Sequence, residues 1–263
     1  MKKIMSSLIF AWLFVFVLAE HSDALGFFDY ITHDGCRIEK IEFKDTNDDT
    51  IRETVSFAYD AGNVVKITIV EDNGTKTVMD FTNDADGNPE KLEIDENDNG
   101  ETDVIADYKY NEDGQIESLE WDETLDGNPD FYSDYIYGGG GKLVAIEERN
   151  YENNELIEVE EFEYYPDGEL KTVITDSNAD GTADDVEYWE YDDDGKLKKL
   201  KVDNEDDGTI NEEGIPFWDC DSSFEDPDDS NDDSNDDSND DSNDGNDDDS
   251  SSGCFINTMI LNP

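Results

Sequence analysis

Basic residues are what this chain most lacks: 263 residues carry 17 Lys and Arg against 74 Asp and Glu, a formal charge of −57. Such a polyanion repels nucleic acid and anionic membrane surfaces, so neither is an expected partner, and a compact form at low salt needs bound cations. Histidine is nearly absent. His21 lies in the N-terminal leader and His33 beside the first turn, which leaves no Ser, His and Asp set in the body of the chain. Carboxylates are too abundant to single out a glycosidase pair, which must face each other across a cleft at a set separation. No enzymatic activity is expected. Cysteine is limited to Cys36, Cys220 and Cys254, too few for a disulfide scaffold but compatible with an oxidising compartment.

Long hydrophobic runs are missing too. The apolar stretch at residues 8–18 follows Lys2 and Lys3 and precedes the small residues Ala19 and Ala24, the pattern of a cleaved bacterial secretory signal over 1–24. It is too short to favour a transmembrane helix, and no cysteine follows it, which argues against the lipoprotein route. A mature chain without a membrane span, secreted or held at the cell surface, is expected.

What the sequence does contain is a repeat. Turn glycines recur at Gly35, Gly62, Gly87, Gly114, Gly141, Gly168 and Gly195, with gaps of 27, 25, 27, 27, 27 and 27 residues. Gly100, Gly127, Asn154, Gly181 and Gly208 form a second series half out of phase, mostly inside acidic loops. A period this regular marks a repeat architecture. Five and seven residues after each turn glycine stand pairs such as Ile67 and Ile69, Leu92 and Ile94, or Leu119 and Trp121, the alternation of a half-buried strand. An aliphatic residue two after the glycine leaves a three-residue step, which suggests a bulge beside the turn. Six and four residues before the glycine stand aromatics such as Tyr108 and Tyr110, or Trp189 and Tyr191. Two strands per repeat, joined alternately by a glycine turn and an acidic loop, predict an all-β antiparallel meander of about seven two-strand repeats over residues 25–220.

The turn unit, as in Tyr59, Asp60, Gly62 and Val64 or Tyr191, Asp192, Gly195 and Leu197, resembles the YD repeats of Rhs-type bacterial surface proteins. The resemblance covers about residues 27–202 and implies a sheet that curls or spirals into a shell. That family often encloses a toxin domain; here an acidic tail follows instead, so the resemblance carries a fold expectation and little about activity.

The acidic loops carry the clearest chemistry. A hard cation such as Ca²⁺ takes six to eight oxygens, and an Asp-x-Asn-x-Asp-Gly run aims alternate side chains at one centre while the glycine permits the bend. Four loops fit: Asp95, Asn97, Asn99 and Asp103; Asp122, Thr124, Asp126 and Asp130; Asp176, Asn178, Asp180 and Asp184; Asp203, Glu205, Asp207 and Asn211. Asp45, Asn47, Asp49 and Glu53 form a fifth without the glycine. They resemble thrombospondin type 3 and dockerin calcium loops at the first five ligand positions. They are not EF-hands, because the twelfth position is Ala106, Ser133, Glu187 or Gly214. The competing reading is plain hairpin turns with solvated acids; the carboxylates at positions one and nine favour calcium. The loops around 149–157 and 72–74 have lost the ligand pattern and are expected to be empty.

Cys36 and Cys220 bracket the repeats. A bond between them requires the ends of the array to meet within about 7 Å, hence a closed or strongly curled sheet; free or intermolecular thiols are the alternative. Residues 221–253 repeat Asp, Asp, Ser and Asn, cannot build a core, and read as an extended, disordered spacer. The short apolar segment 254–263 begins with Cys254, a candidate attachment point. The sequence therefore predicts a secreted calcium-binding β-repeat protein with a structural or adhesive role, its partner a cell-surface protein or glycan. The alternative is a carbohydrate-binding or carbohydrate-cleaving module using aromatics such as Trp121 and Trp189, and a third reading is a cation-storing polyanion without a specific partner.

Overall fold

The structure, a computed structural model, describes residues 32, 33 and 35–220. The expected signal, the spacer, the C-terminal segment and Cys254 lie outside them. The described residues hold no helix and fifteen strands: β1 (Thr32–His33), β2 (Cys36–Asp45), β3 (Ile51–Asp60), β4 (Asn63–Glu71), β5 (Lys76–Asn83), β6 (Pro89–Asp95), β7 (Val104–Tyr110), β8 (Ile116–Asp122), β9 (Phe131–Tyr137), β10 (Leu143–Asn150), β11 (Leu156–Tyr164), β12 (Leu170–Asp176), β13 (Asp185–Tyr191), β14 (Leu197–Asp203) and β15 (Glu212–Asp219). Each strand from β2 pairs antiparallel with the next, as the alternating turns require.

The curled sheet or shell is corrected to a closed barrel of fourteen strands, β2 to β15. β2 pairs with β3 on one edge and with β15 on the other, in register from Glu212↔Asp45 to Asp219↔Arg37. At this seam Cys36 and Cys220 form a disulfide with their Cα atoms 4.1 Å apart, which realises the closed alternative. Repeat length sets strand count; whether the last strand finds the first depends on accumulated twist and stagger, which the period does not encode.

The expected bulge recurs in all seven hairpins. Register shifts between Ala58 and Tyr59, Thr82 and Asn83, Lys109 and Tyr110, Leu143 and Ala145, Glu163 and Tyr164, Glu190 and Tyr191, and Phe217 and Trp218. One extra residue beside each turn, Glu117 in β8 for example, lets the aliphatic position next to the turn face inward together with those three and five residues later. At the turn itself Gly114 adopts φ 81° and donates to the Asn111 carbonyl, while the Asn111 side chain accepts from Asp113 and Gln115 amides. The Asp or Asn that follows the repeat's aromatic thus closes the turn by hydrogen bonding to backbone two and four residues on.

The aromatic four residues before the glycine has a bond of its own. β6 pairs with β7 only between Lys91↔Asp107 and Ile94↔Val104, so the two strands part toward the turn end. There the Tyr110 hydroxyl donates to the Pro89 carbonyl at 2.6 Å. Tyr59 to Ile38, Tyr137 to Ile116, Tyr164 to Leu143, and the Trp218 indole to Leu197 repeat the clamp, each across 21 residues. Each supplies the hydrogen bond that the ladder no longer provides.

Alternation puts one face of every strand inside. A layer of seven cross-strand pairs runs round the interior: Val55 with Ile69, Met79 with Ile94, Ala106 with Trp121, Ser133 with Glu148, Glu160 with Thr175, Glu187 with Val202, and Gly214 with Phe43. Gly214 is required where it stands, because a Cβ there would meet the Phe43 ring at 2.6 Å. A round wall of fourteen strands would enclose water, yet Trp121, Phe43, Ile67 and Leu92 are all at 0% exposure. The walls therefore pack on each other through their side chains. The outer face is charged, with pairs such as Lys66 to Asp80, Lys171 to Glu163 and Lys199 to Glu213.

Candidate functional site

Four acidic loops share one fold. In the first, Asp95 accepts from the amides of Asn97, Asn99 and Gly100, and Asp103 accepts from the Glu96 amide and the Asn97 side chain at 3.2 Å. Asp122 and Asp130 do the same for the second loop, where Thr124 Oγ1 reaches Asp122 at 3.5 Å. Asp176 and Asp184 hold the third, with Asn178 donating to Asp184 at 3.1 Å. Asp203 and Asn211 hold the fourth. The fifth-position side chains Asn99, Asp126, Asp180 and Asp207 each accept from the amide two residues on.

The local backbone is strained in register. Asp98, Leu125, Ala179 and Asp206, all at the fourth position, have φ between 44° and 55°, and the glycine two residues later has φ of 84–87°. A left-handed non-glycine residue costs about 1 kcal/mol or more, and the amide-to-carboxylate bonds at positions one and nine are what hold it. Loss of water around Asp95 pushes its carboxyl up, but the Gly100, Asn99 and Asn97 amides outweigh this and keep it below the usual range. Burial first, and then the charge of Asp103 or Asp130, raises Glu96 and Glu123 in the second position.

The fifth expected loop is different. Asp45 and Asp48 pair with Arg52 at 2.8 and 3.6 Å, the left-handed residue is Asp49, and Asn47 donates its amide to Asp45. Glu53, expected as its ninth-position ligand, turns into the barrel at 5% exposure. β3 begins at Ile51, and alternation sends Glu53 to the same face as Val55 and Phe57. Among the described residues, no three His, Cys, Asp or Glu side chains stand close enough to hold one metal ion together. In the loops, positions one, three and nine approach one another, while the fifth-position group is turned toward the chain.

The aromatic face proposed for glycans is the core. Trp121 and Trp189 are at 0% and 1% exposure, so neither can stack on a sugar. The open groove lined by Tyr165, Glu169, Glu190 and Tyr191 has its two rings edge to face, 83° apart, which offers no flat platform.

Sequence reasoning missed a set of interior acids. Besides Glu53, the residues Glu148, Glu158, Glu160, Asp185 and Glu187 face inward on β10, β11 and β13. Burial raises Glu53, Glu148 and Glu187 to about 8, with neighbouring carboxylates adding to it, and raises Glu158 and Glu160 in the same direction. One signal was available: Glu148 occupies the register position held elsewhere by Ile69, Ile94 and Trp121.

No protein-family description and no curated protein matches the chain. Solved structures similar to it include the Photorhabdus luminescens Tc holotoxin pore (17% identity over 67% of this chain and 9% of that one, TM-score 0.30) and a TcdB2–TccC3 assembly (16%, 63% and 10%, TM-score 0.28). A porin-like protein from Bacteroides uniformis is also similar (12% identity over 69% of this chain and 98% of that one, TM-score 0.42). This chain therefore spans about a tenth of the toxin chains, and both of those structures contain TccC3, a component with YD repeats. All three TM-scores fall below 0.5, and the family stays a resemblance carried by the turn residues.

Proposed function

We propose that the protein is a secreted, non-enzymatic calcium-binding barrel with a structural or adhesive role at the bacterial cell surface, held by a surface protein or glycan. The observation that carries the reading is the convergence of the first-, third- and ninth-position side chains on a strained loop repeated four times at one end of the barrel. Ca²⁺ at each loop, the ligands being Asp95, Asn97 and Asp103 and their counterparts, would take oxygens that now crowd on one another. Its charge would relieve repulsion between adjacent loops, so binding free energy becomes folding free energy. Extracellular modules of this kind bind with Kd of about 10⁻⁴–10⁻³ M, which suits permanent loading outside the cell.

Secretion is supported by the disulfide and by the leader pattern. The polarity of the wall supports a barrel in water: membrane barrels present an apolar band to lipid and keep a polar lumen, whereas here the apolar side is inside and Lys and Glu are outside. No helix among the described residues is long and apolar enough to cross a membrane.

The test is a calorimetric calcium titration of the full chain with thermal unfolding in calcium and in chelator. Several sites and a raised melting temperature support the reading. Absence of heat and an unmoved melting temperature would return the loops to plain turns.

A further inference from the structure

The acids inside the barrel are unlike those in the loops. Glu53 and Glu160 are at 5% and 2% exposure, and each keeps one carboxyl oxygen, Oε1 and Oε2 respectively, with no hydrogen-bond partner; Oε2 of Glu148 is a third such atom. Buried carboxyls are ordinarily paired with a cation, bound to a metal or neutralised by a proton. No basic side chain fills that role. Glu53 on β3 is faced by Glu71, Glu187 and Glu212, and Glu160 on β11 by Glu148, Glu158 and Glu187. Glu148 is faced by Glu123 and Glu158, while Glu158 is faced by Asp176, Asp184 and Asp185. Asp185 faces Asp184, Asp203 and Glu212, and Glu187 faces Asp185 and the Trp189 indole, a hydrogen-bond donor without charge. The one arginine near the group, Arg52, acts on Glu212 and is otherwise paired with Asp45, Asp48 and Asp72.

The cluster also crosses the interior. Glu53 and Glu187 sit on strands four steps apart round the wall, β3 to β2, β15, β14 and β13, yet act directly on each other. Carboxyls from opposed walls thus converge on one region, and unpartnered oxygens point into it.

We propose that this interior cluster, formed by Glu53, Glu148, Glu158, Glu160, Asp185 and Glu187, takes up a hard divalent cation in exchange for protons, at a site separate from the acidic loops. No three of these groups ligate one ion directly, so the ion keeps part of its water, and that water donates to the orphan oxygens. The balance is simple: each carboxyl that ionises on the cation releases one proton to solvent. At neutral pH the raised interior groups hold protons to release, whereas loop groups such as Asp95, kept low by amide bonds, are already ionised. Proton release therefore separates interior from loop binding, and the proposal stands whether or not the loops bind calcium.

The experiment titrates CaCl₂ into the full chain at pH 7 in two buffers of different ionisation enthalpy, which yields protons released per chain. Wild type should release about one to two protons. The variant E160Q/E187Q, uncharged and nearly isosteric, should lose most of that release while loop heats persist; D95N/D176N should lose loop sites and keep the release. A wild type that binds calcium without releasing protons overturns the proposal, as does an unchanged release in E160Q/E187Q. Should E160Q/E187Q unfold, E53Q on the opposite wall takes its place, read by whether calcium still raises the melting temperature at pH 8.5. Full protection by calcium in folded E53Q would also overturn it.

Discussion

Strands β5 and β7 carry Met79 and Ala106, both at 0% exposure, at the repeat position where β11 and β13 carry Glu160 and Glu187, at 2% and 6%. Both halves have the same hairpins, bulges, clamps and loops, so the difference is one of filling alone. The first half closes its interior with hydrocarbon, and the second closes the same layer with carboxyl groups that need positive charge or protons. Ser133 stands between them at 0%, taking a 3.1 Å hydrogen bond from the Trp121 indole. Backbone architecture and interior chemistry are thus separable in this repeat: the turn and clamp residues specify the wall, and the wall tolerates either lining.

The strongest way to expose the contrast is pH. Glu53, Glu148 and Glu187 are raised from 4.5 to about 8 in the folded state, so their contribution is fully present below about pH 4.5 and is lost as pH rises toward 8 and beyond. Asp95 and Asp84, lowered by amide hydrogen bonds, act oppositely and lose theirs as pH falls below their ordinary value of 3.8. Stability in chelator should therefore peak between about pH 4 and 6 and fall by several kcal/mol by pH 9, comparable with a whole domain's stability. Denaturant melts across that range would show it, and a flat profile would refute it.

Breaking the apolar half should look different. Trp121→Ala should cost about 3–5 kcal/mol at every pH, because it empties volume in a dry layer and moves no proton. Making the halves alike sharpens the contrast: Glu187→Met copies Met79 and should stabilise the barrel at pH 8.5 by about 1–3 kcal/mol while changing little at pH 5, checked by urea unfolding at both values. The clamps are the control. Tyr110→Phe and Tyr164→Phe, one in each half, should each cost about 1 kcal/mol without pH dependence. Least of all, Lys66→Ala on the outer face should change stability by under about 0.5 kcal/mol, since its pair with Asp80 is exposed.

The wall was legible in the sequence. Gly62 to Gly195 fixed the turns, the step from Ile116 to Leu119 disclosed the bulge, and the inward set around Ile67, Leu92 and Leu200 followed from alternation. The role of Tyr110 was not legible, because its partner, the Pro89 carbonyl, is defined by where two strands part. Closure was hidden for a related reason: pairing of Phe43 with Gly214 depends on twist summed over the whole array. The loops were legible as motifs, but local pattern alone misassigned Glu53, whose direction is set by the register of β3 rather than by distance from Asp45. The acids at Glu160 and Glu187 looked like more of an abundant charge until burial set them apart.

The seam between β2 and β15 also has a kinetic meaning. All other strand pairs join neighbours in sequence and can zip locally, while this one joins segments whose cysteines lie 184 residues apart. It closes last, and until then the growing sheet has two bare edges that fit each other. Held open by reduction of Cys36 and Cys220, β15 of one molecule meets β2 of the next in the same register, and a ring-forming contact becomes a chain-forming one. Oxidation at the seam is thus the step that decides between a monomer and a fibre.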